Sequence, residues 1–270
     1  MKKKTEKVCF NDLWGQMVER LGNFIETGDQ EQLHQFRLQV KKLRALLALI
    51  DACLPKSTLS KEFKPVKKIF AHCGIIREAY VNLLLSAKYK LENEDFINQQ
   101  VSEMERQISI LRDNQKRYLR TIKLVHRDIE DELAAINDDR INEYYKDQLE
   151  QIAIILARHQ FDEGLHDCRK KIKILMYNRK IAANALEGNL TLNTAYLDKL
   201  QDQLGNWHDV VVAIGLFSAP EINAKPVVAR IKRQNTKLRK SINELSDDFW
   251  KKATLADAAS NNGGEAKVWV

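Results

Sequence analysis

The sequence predicts an all-α protein built by internal duplication. Three observations carry that prediction. Gly (10) and Pro (4) are scarce in 270 residues, whereas Leu, Ile, Ala, Lys, Glu and Gln dominate, a composition that favours long helices over strands. Apolar residues recur at helical spacing along most of the chain. And a pattern set by His34, Arg37, Lys41, Lys42 and Arg44 returns, degenerate, as His166, Arg169, Lys170, Lys173 and Tyr177. Each copy has a companion downstream: Gly74, Arg77 and Glu78 begin 40 residues after His34, and Gly205, His208 and Asp209 begin 39 residues after His166. Two patterns at one separation, both repeated, indicate a duplicated unit.

The elements follow in order. Asn11 to about Glu26 reads as a helix with Leu13, Met17, Leu21 and Phe24 on one stripe, broken by Gly28 and Asp29. Gln30 to about Cys53 carries the first cationic pattern and stops before Pro55. Ser60 to about His72 forms a third helix, and Gly74 predicts a bend before a fourth, from about Ile75 to Leu91. Asp95 to about Ile136 reads as one long charged helix. Asn137, Asp138 and Asp139 break it and supply a cap for a helix from about Arg140 to Arg158. The second cationic helix runs from about Asp162 to Leu186, where Gly188 and Asn189 end it. Helices over about Asn193–Leu204 and Trp207–Phe217 reproduce the first half. A loop spans Pro220–Pro226, and a last helix runs from about Val227 to Lys252. The first repeat thus covers about 11–136 and the second about 140–252, within one domain of 8–252. Residues 256–270 read as a disordered tail.

Cys9, Cys53, Cys73 and Cys168 stand apart, without a CxxC, and read as reduced thiols at helix-packing positions in a reducing compartment. The basic start has no apolar run behind it, and no stretch is apolar enough to span a bilayer, which points to the cytoplasm and away from membranes. Net charge is +7, unevenly spread. Residues 1–90 hold 17 Lys and Arg against 9 Asp and Glu, residues 91–160 hold 10 against 15, and residues 161–255 hold 16 against 11. The positive charge is assigned to the two repeat copies, with an acidic segment between them.

On a helical wheel His34, Arg37 and Lys41 share one side, with Arg44 at its edge. His166, Arg169, Lys170, Lys173, Tyr177 and Lys180 share another. Phe36, Val40, Leu43 and Leu47 back the first stripe, and Cys168, Ile172, Leu175 and Arg179 the second. Cations stacked at this spacing repel one another, so the stripe makes sense when a polyanion fills it. Arg offers a planar fork for phosphate oxygens, Lys a point charge, and protonated His two donors. Lys64, Lys67, Lys68, Lys199, Arg77 and His208 are supporting cations. A single basic helix face is most often a solvated surface; its recurrence with a matched downstream pattern argues for a binding role. Gly74 and Gly205 read as close-packing positions or caps, and Trp14, Trp207 and Trp250 as core or interface residues.

These residues resemble the CHAD family, an α-helical domain named for its histidines. The resemblance rests on His-x-x-Arg-x-x-x-Lys in each half and on Gly-x-x-(Arg/His)-(Asp/Glu) about forty residues later, and covers roughly residues 8–252. It implies two pseudo-symmetric helical bundles with a basic groove or cavity between them, and binding of inorganic polyphosphate in association with polyphosphate granules. Carried over by position, the binding residues are His34, Arg37, Lys41, Lys42, Arg44 and Arg77, then His166, Arg169, Lys170, Lys173 and His208. Lys68, Tyr177, Lys180 and Lys199 join them from the reading of the stripes. The chain departs from the family pattern at Ile174, Met176, Glu78 and Cys73, for which Lys170, Lys171 and Lys180 are candidate compensation. No triphosphate-tunnel domain accompanies it, so the resemblance implies a stand-alone, non-catalytic binding module.

No catalytic residue, metal site or cofactor is predicted. The six histidines lack metal-ligand spacing and no Gly-rich phosphate loop is present. The alternatives are another polyanion (nucleic acid, or a phosphorylated or acidic protein) and a phosphohydrolase or phosphotransferase. Nucleic acid is disfavoured because the basic segments are poor in aromatics on which bases stack.

Overall fold

The computed structural model describes residues 3–254; the predicted tail lies outside them. Every regular element among them is a helix: α1 Lys3–Thr27, α2 Gln30–Cys53, α3 Leu59–Glu62, α4 Lys64–Tyr89, α5 Glu94–Asp113, α6 Gln115–Glu132, α7 Asp138–Leu156, α8 Glu163–Leu186, α9 Thr194–Ser218, α10 Lys225–Ser246 and α11 Phe249–Thr254.

Side-chain caps start five of them. Asp29 accepts the Glu31 N–H at 2.9 Å for α2, Asn93 that of Phe96 for α5, Asn137 that of Asp139 for α7, Asp162 that of Gly164 for α8, and Asn193 that of Tyr196 for α9. Gly28, at φ +72°, supplies the left-handed turn between α1 and α2.

Helices α1–α2, α4–α5, α7–α8 and α9–α10 pack as consecutive pairs, and α2 packs against α8 at the centre. Phe36, Val40, Leu43 and Leu47 of α2 and Cys168, Ile172 and Leu175 of α8 are buried in one continuous core. Arg179, placed with that apolar side by the wheel, is exposed instead. Buried Asn178 of α8 donates to the Ala45 carbonyl of α2 at 2.8 Å, and Tyr145 of α7 donates to the Leu175 carbonyl at 2.9 Å. These bonds fix the rotation of α8 against its neighbours, and with it the direction of the cationic stripe. A smaller cluster of Tyr89, Val210, Ala213, Phe217, Val228 and Ile231 ties the end of α4 to α9 and α10.

The boundaries depart from expectation at several places: α1 begins at Lys3 and not at Asn11, and the helix expected over 60–72 is broken at Phe63 between α3 and α4. No bend follows Gly74: α4 runs through it unbroken, and α9 likewise runs through Gly205. The long helix of 95–136 is interrupted at Asn114, whose backbone (φ −92°, ψ 1°) leaves the helical region between α5 and α6. The last helix divides into α10 and α11 at Asp248, at φ +52°. Trp14 and Trp207 are buried as expected, whereas Trp250 is exposed. Among the described residues no helix is long and apolar enough to cross a membrane.

Candidate functional site

Helices α2 and α8 each start at an Asp cap, and each carries its histidine within the next turn and a half: His34 after Asp29, His166 after Asp162. The helix N-terminus adds positive potential there. One turn on, each helix presents an arginine to a glycine of a neighbouring helix. A Cβ at residue 74 would stand 3.1 Å from Arg37 Nη1, and a Cβ at residue 205 would stand 3.1 Å from both Nε and Nη2 of Arg169. The glycines therefore do neither of the jobs of a helix end. They let a guanidinium lie on the helix backbone.

The two arginines are held differently. Arg37 donates from Nη1 to the Phe70 carbonyl at 2.9 Å, and its guanidinium carbon sits 4.1 Å from the Phe70 ring centroid. Arg169 has a buried Nε with no hydrogen-bond partner. Two histidines complete the second half: the His166 and His208 rings stack at 4.3 Å with 21° between planes, and His166 Nδ1 is buried and unpartnered. In the first half the corresponding neighbour of His34 is Arg77, the cation that most lowers its basicity after desolvation.

Because α2 lies against α8, the two stripes meet. Lys41 is accessible to solvent, yet desolvation is the largest influence on it. Arg37, then Lys173 and Arg169, then Arg44 add repulsion, and its ammonium is lowered to about 8. Lys173 is lowered by desolvation and by Arg169, against the pull of Asp202 and Asp209. Arg37 and Arg77 are lowered first by desolvation, and His166 by desolvation and then by His208. Tyr177 is raised by desolvation, with Arg169 opposing. None of His34, Arg37, Lys41, Arg77, His166, Arg169 and Lys173 is ion-paired among the described residues. These unpaired cations, half-buried apart from the exposed Lys41, depress one another and lack a compensating anion.

Not every predicted residue joins this cluster. Lys42 and Lys180 face each other elsewhere, beside Cys9 and Asp12 of α1. Arg44 stands at the outer edge of the cluster, the weakest of the four cations that depress Lys41, and also repels Lys67. Lys170 is bound to Asp167 at 3.0 Å and Glu163 at 3.7 Å, and Lys171 donates to Gln148 and Gln151 of α7, so both ammonium groups already have partners. Lys68 and Lys199 are exposed on the outer surface of α4 and α9. Cys73, in the place of a leucine, is buried against Arg37 and its thiol is pushed up to about 12, first by desolvation. Among the described residues no group of three His, Cys, Asp or Glu is arranged to hold a metal ion.

The family model of the CHAD domain matches residues 10–218. The crystal structure of the CHAD domain from the plant Ricinus communis superposes with a TM-score of 0.66, at 18% identity, covering 91% of each chain. No curated protein matches. The family match spans most of the chain and carries both His–Arg helices and both glycines: this chain belongs to the CHAD domain family.

Proposed function

We propose that this protein binds inorganic polyphosphate, without catalysis, through His34, Arg37, Lys41, Arg77, His166, Arg169, Lys173 and His208, the two repeats of one duplicated domain contributing one stripe each. The observation that carries the reading is the convergence of unpaired cations from α2 and α8 around Lys41. A cluster that costs stability while empty gains it when phosphate oxygens supply the missing counter-charge. A linear chain with about one charge per phosphate satisfies cations spread along two helices, where a single phosphate reaches only a few. Lys42, Arg44, Lys68, Lys170, Lys180 and Lys199, outside the cluster or at its edge, attract the chain at longer range and add to the on-rate. Residence in the cytoplasm, at polyphosphate granules, follows from this reading.

The test is titration of long-chain polyphosphate in rising salt, with DNA of equal charge as competitor. The reading expects binding that weakens steeply with salt and that DNA displaces poorly. Equal displacement by DNA would redirect it to a general polyanion binder, and release of phosphate from polyphosphate with Mg²⁺ or Mn²⁺ would make the protein an enzyme.

A further inference from the structure

Helix α10 bears a second cationic surface, and it lies beyond the residues matched by the family model. Lys225, Arg230, Lys232, Arg233, Lys237, Arg239 and Lys240 are all exposed, and Glu244 is the one acid on the helix. The opposite face is buried through Val228, Ile231 and Ile242. Residues 161–255 hold 16 cations against 11 acids; removing the seven and the one on α10 leaves 9 against 10. With seven cations against one acid, α10 is more positive than α8, which has six cations against Glu163 and Asp167. None of the seven is ion-paired among the described residues.

This surface connects to the central cluster. Arg239 lies 4.4 Å over the Phe161 ring, Phe161 meets Trp207 edge-on at 5.7 Å, and Trp207 precedes His208, which stacks on His166. At its other end Arg230 donates to the Tyr89 carbonyl of α4 at 2.9 Å. We propose that the exposed face of α10 is a second docking surface for polyphosphate, taken by the part of a long chain that runs past the α2–α8 cluster; this rests on the function proposed above. The charge complementarity selects the occupant. An acidic face of a second copy fits less well, because the acidic segment of residues 91–160 interleaves its 15 acids with 10 cations, a far sparser negative charge than about one per phosphate. A single-stranded nucleic acid fits poorly too, because α10 offers no aromatic side chain for its bases. A helix of 22 residues presents about 33 Å of cationic track to a flexible phosphate chain.

The test uses the full chain with Lys232, Arg233, Lys237 and Lys240 all changed to Ala, titrated with tripolyphosphate and with long-chain polyphosphate. Tripolyphosphate, filling only the central cluster, is expected to bind within about twofold of wild type. Long-chain affinity is expected to fall at least tenfold, with a salt slope shallower by about three, at roughly 0.7 per lost phosphate contact. The charge-retaining set K232R, R233K, K237R and K240R is expected to restore both. Unchanged long-chain binding in the Ala variant, or an equal loss in the charge-retaining one, overturns the inference and leaves the central site standing. Failure of wild type to bind either polyphosphate overturns both.

Discussion

Arg37 lies across Gly74 so closely that Nη1 would stand 3.1 Å from a Cβ at that position. Arg169 of α8 stands in the same relationship to Gly205 of α9. Both glycines sit inside unbroken helices, where Ala is better by about 1 kcal/mol, so close approach accounts for them better than backbone freedom does. Gly74→Ala and Gly205→Ala are therefore expected to keep or raise the melting temperature while displacing a guanidinium. Polyphosphate affinity should fall several-fold in each, more at Gly205, where two guanidinium nitrogens crowd the Cβ. Calorimetry beside binding decides this; a stabilised variant with full affinity would detach the arginines from the site.

The paired substitution Arg37→Ala with Arg169→Ala tests the cluster directly. Each charged hydrogen bond to phosphate is worth about 1.5–3 kcal/mol, so affinity should drop more than tenfold. Circular dichroism should stay native, since both side chains lie on the polar side of their helices. A folded double variant that binds as wild type does places the ligand elsewhere.

Much of this site was legible in the sequence, and the reasons are local. Asp29 and Pro55 bracket α2, whose bounds agree with expectation to the residue, because capping and chain-breaking act over one turn. That α2 and α8 pack together was not legible: it depends on tertiary bonds such as Asn178 to the Ala45 carbonyl, which no spacing announces. The same holds for Lys42 and Lys180, adjacent on the wheel to binding cations yet rotated towards α1. The breaks at Asn114 and Asp248 escaped because neither residue is a Gly or Pro. The basic face of α10 was visible as seven cations against one acid, a local count that averaging over the whole second half concealed.

Lys41 carries the conflict between stability and binding. Its ammonium is lowered to about 8, first by desolvation and then by Arg37, Lys173 and Arg169. A base whose folded pKa lies below its unfolded value near 10.4 destabilises the fold while charged, and the penalty is relieved as pH rises between those two values. At pH 7 the penalty is fully present. Lys41→Met should therefore raise the stability of the unliganded protein by about 1 kcal/mol, after discounting for solvent screening of an accessible group. That corresponds to about 2–4 °C in a domain of this size. The same variant should bind polyphosphate more weakly. A lower melting temperature in Lys41→Met would mean that its aliphatic stem packs and that the repulsion is already screened.

The histidines give the binding its pH dependence. His34 and His166 are both lowered from the usual value near 6.5, first by desolvation, then by Arg77 and His208 respectively. In the free protein they are therefore neutral at pH 7. A phosphate chain favours their charged form and raises both pKa values, so binding takes up protons and affinity increases as pH falls. The gain is expected to continue as pH falls below the free-imidazole value near 6.5, because both histidines start from lowered pKa values. His166→Gln should flatten the curve most, because its ring stacks on His208, which opposes the protonation of His166 until an anion bridges the two. Affinity that does not change over this fall in pH, measured at constant ionic strength, would mean that the histidines meet the chain neutral and serve to position Arg37 and Arg169.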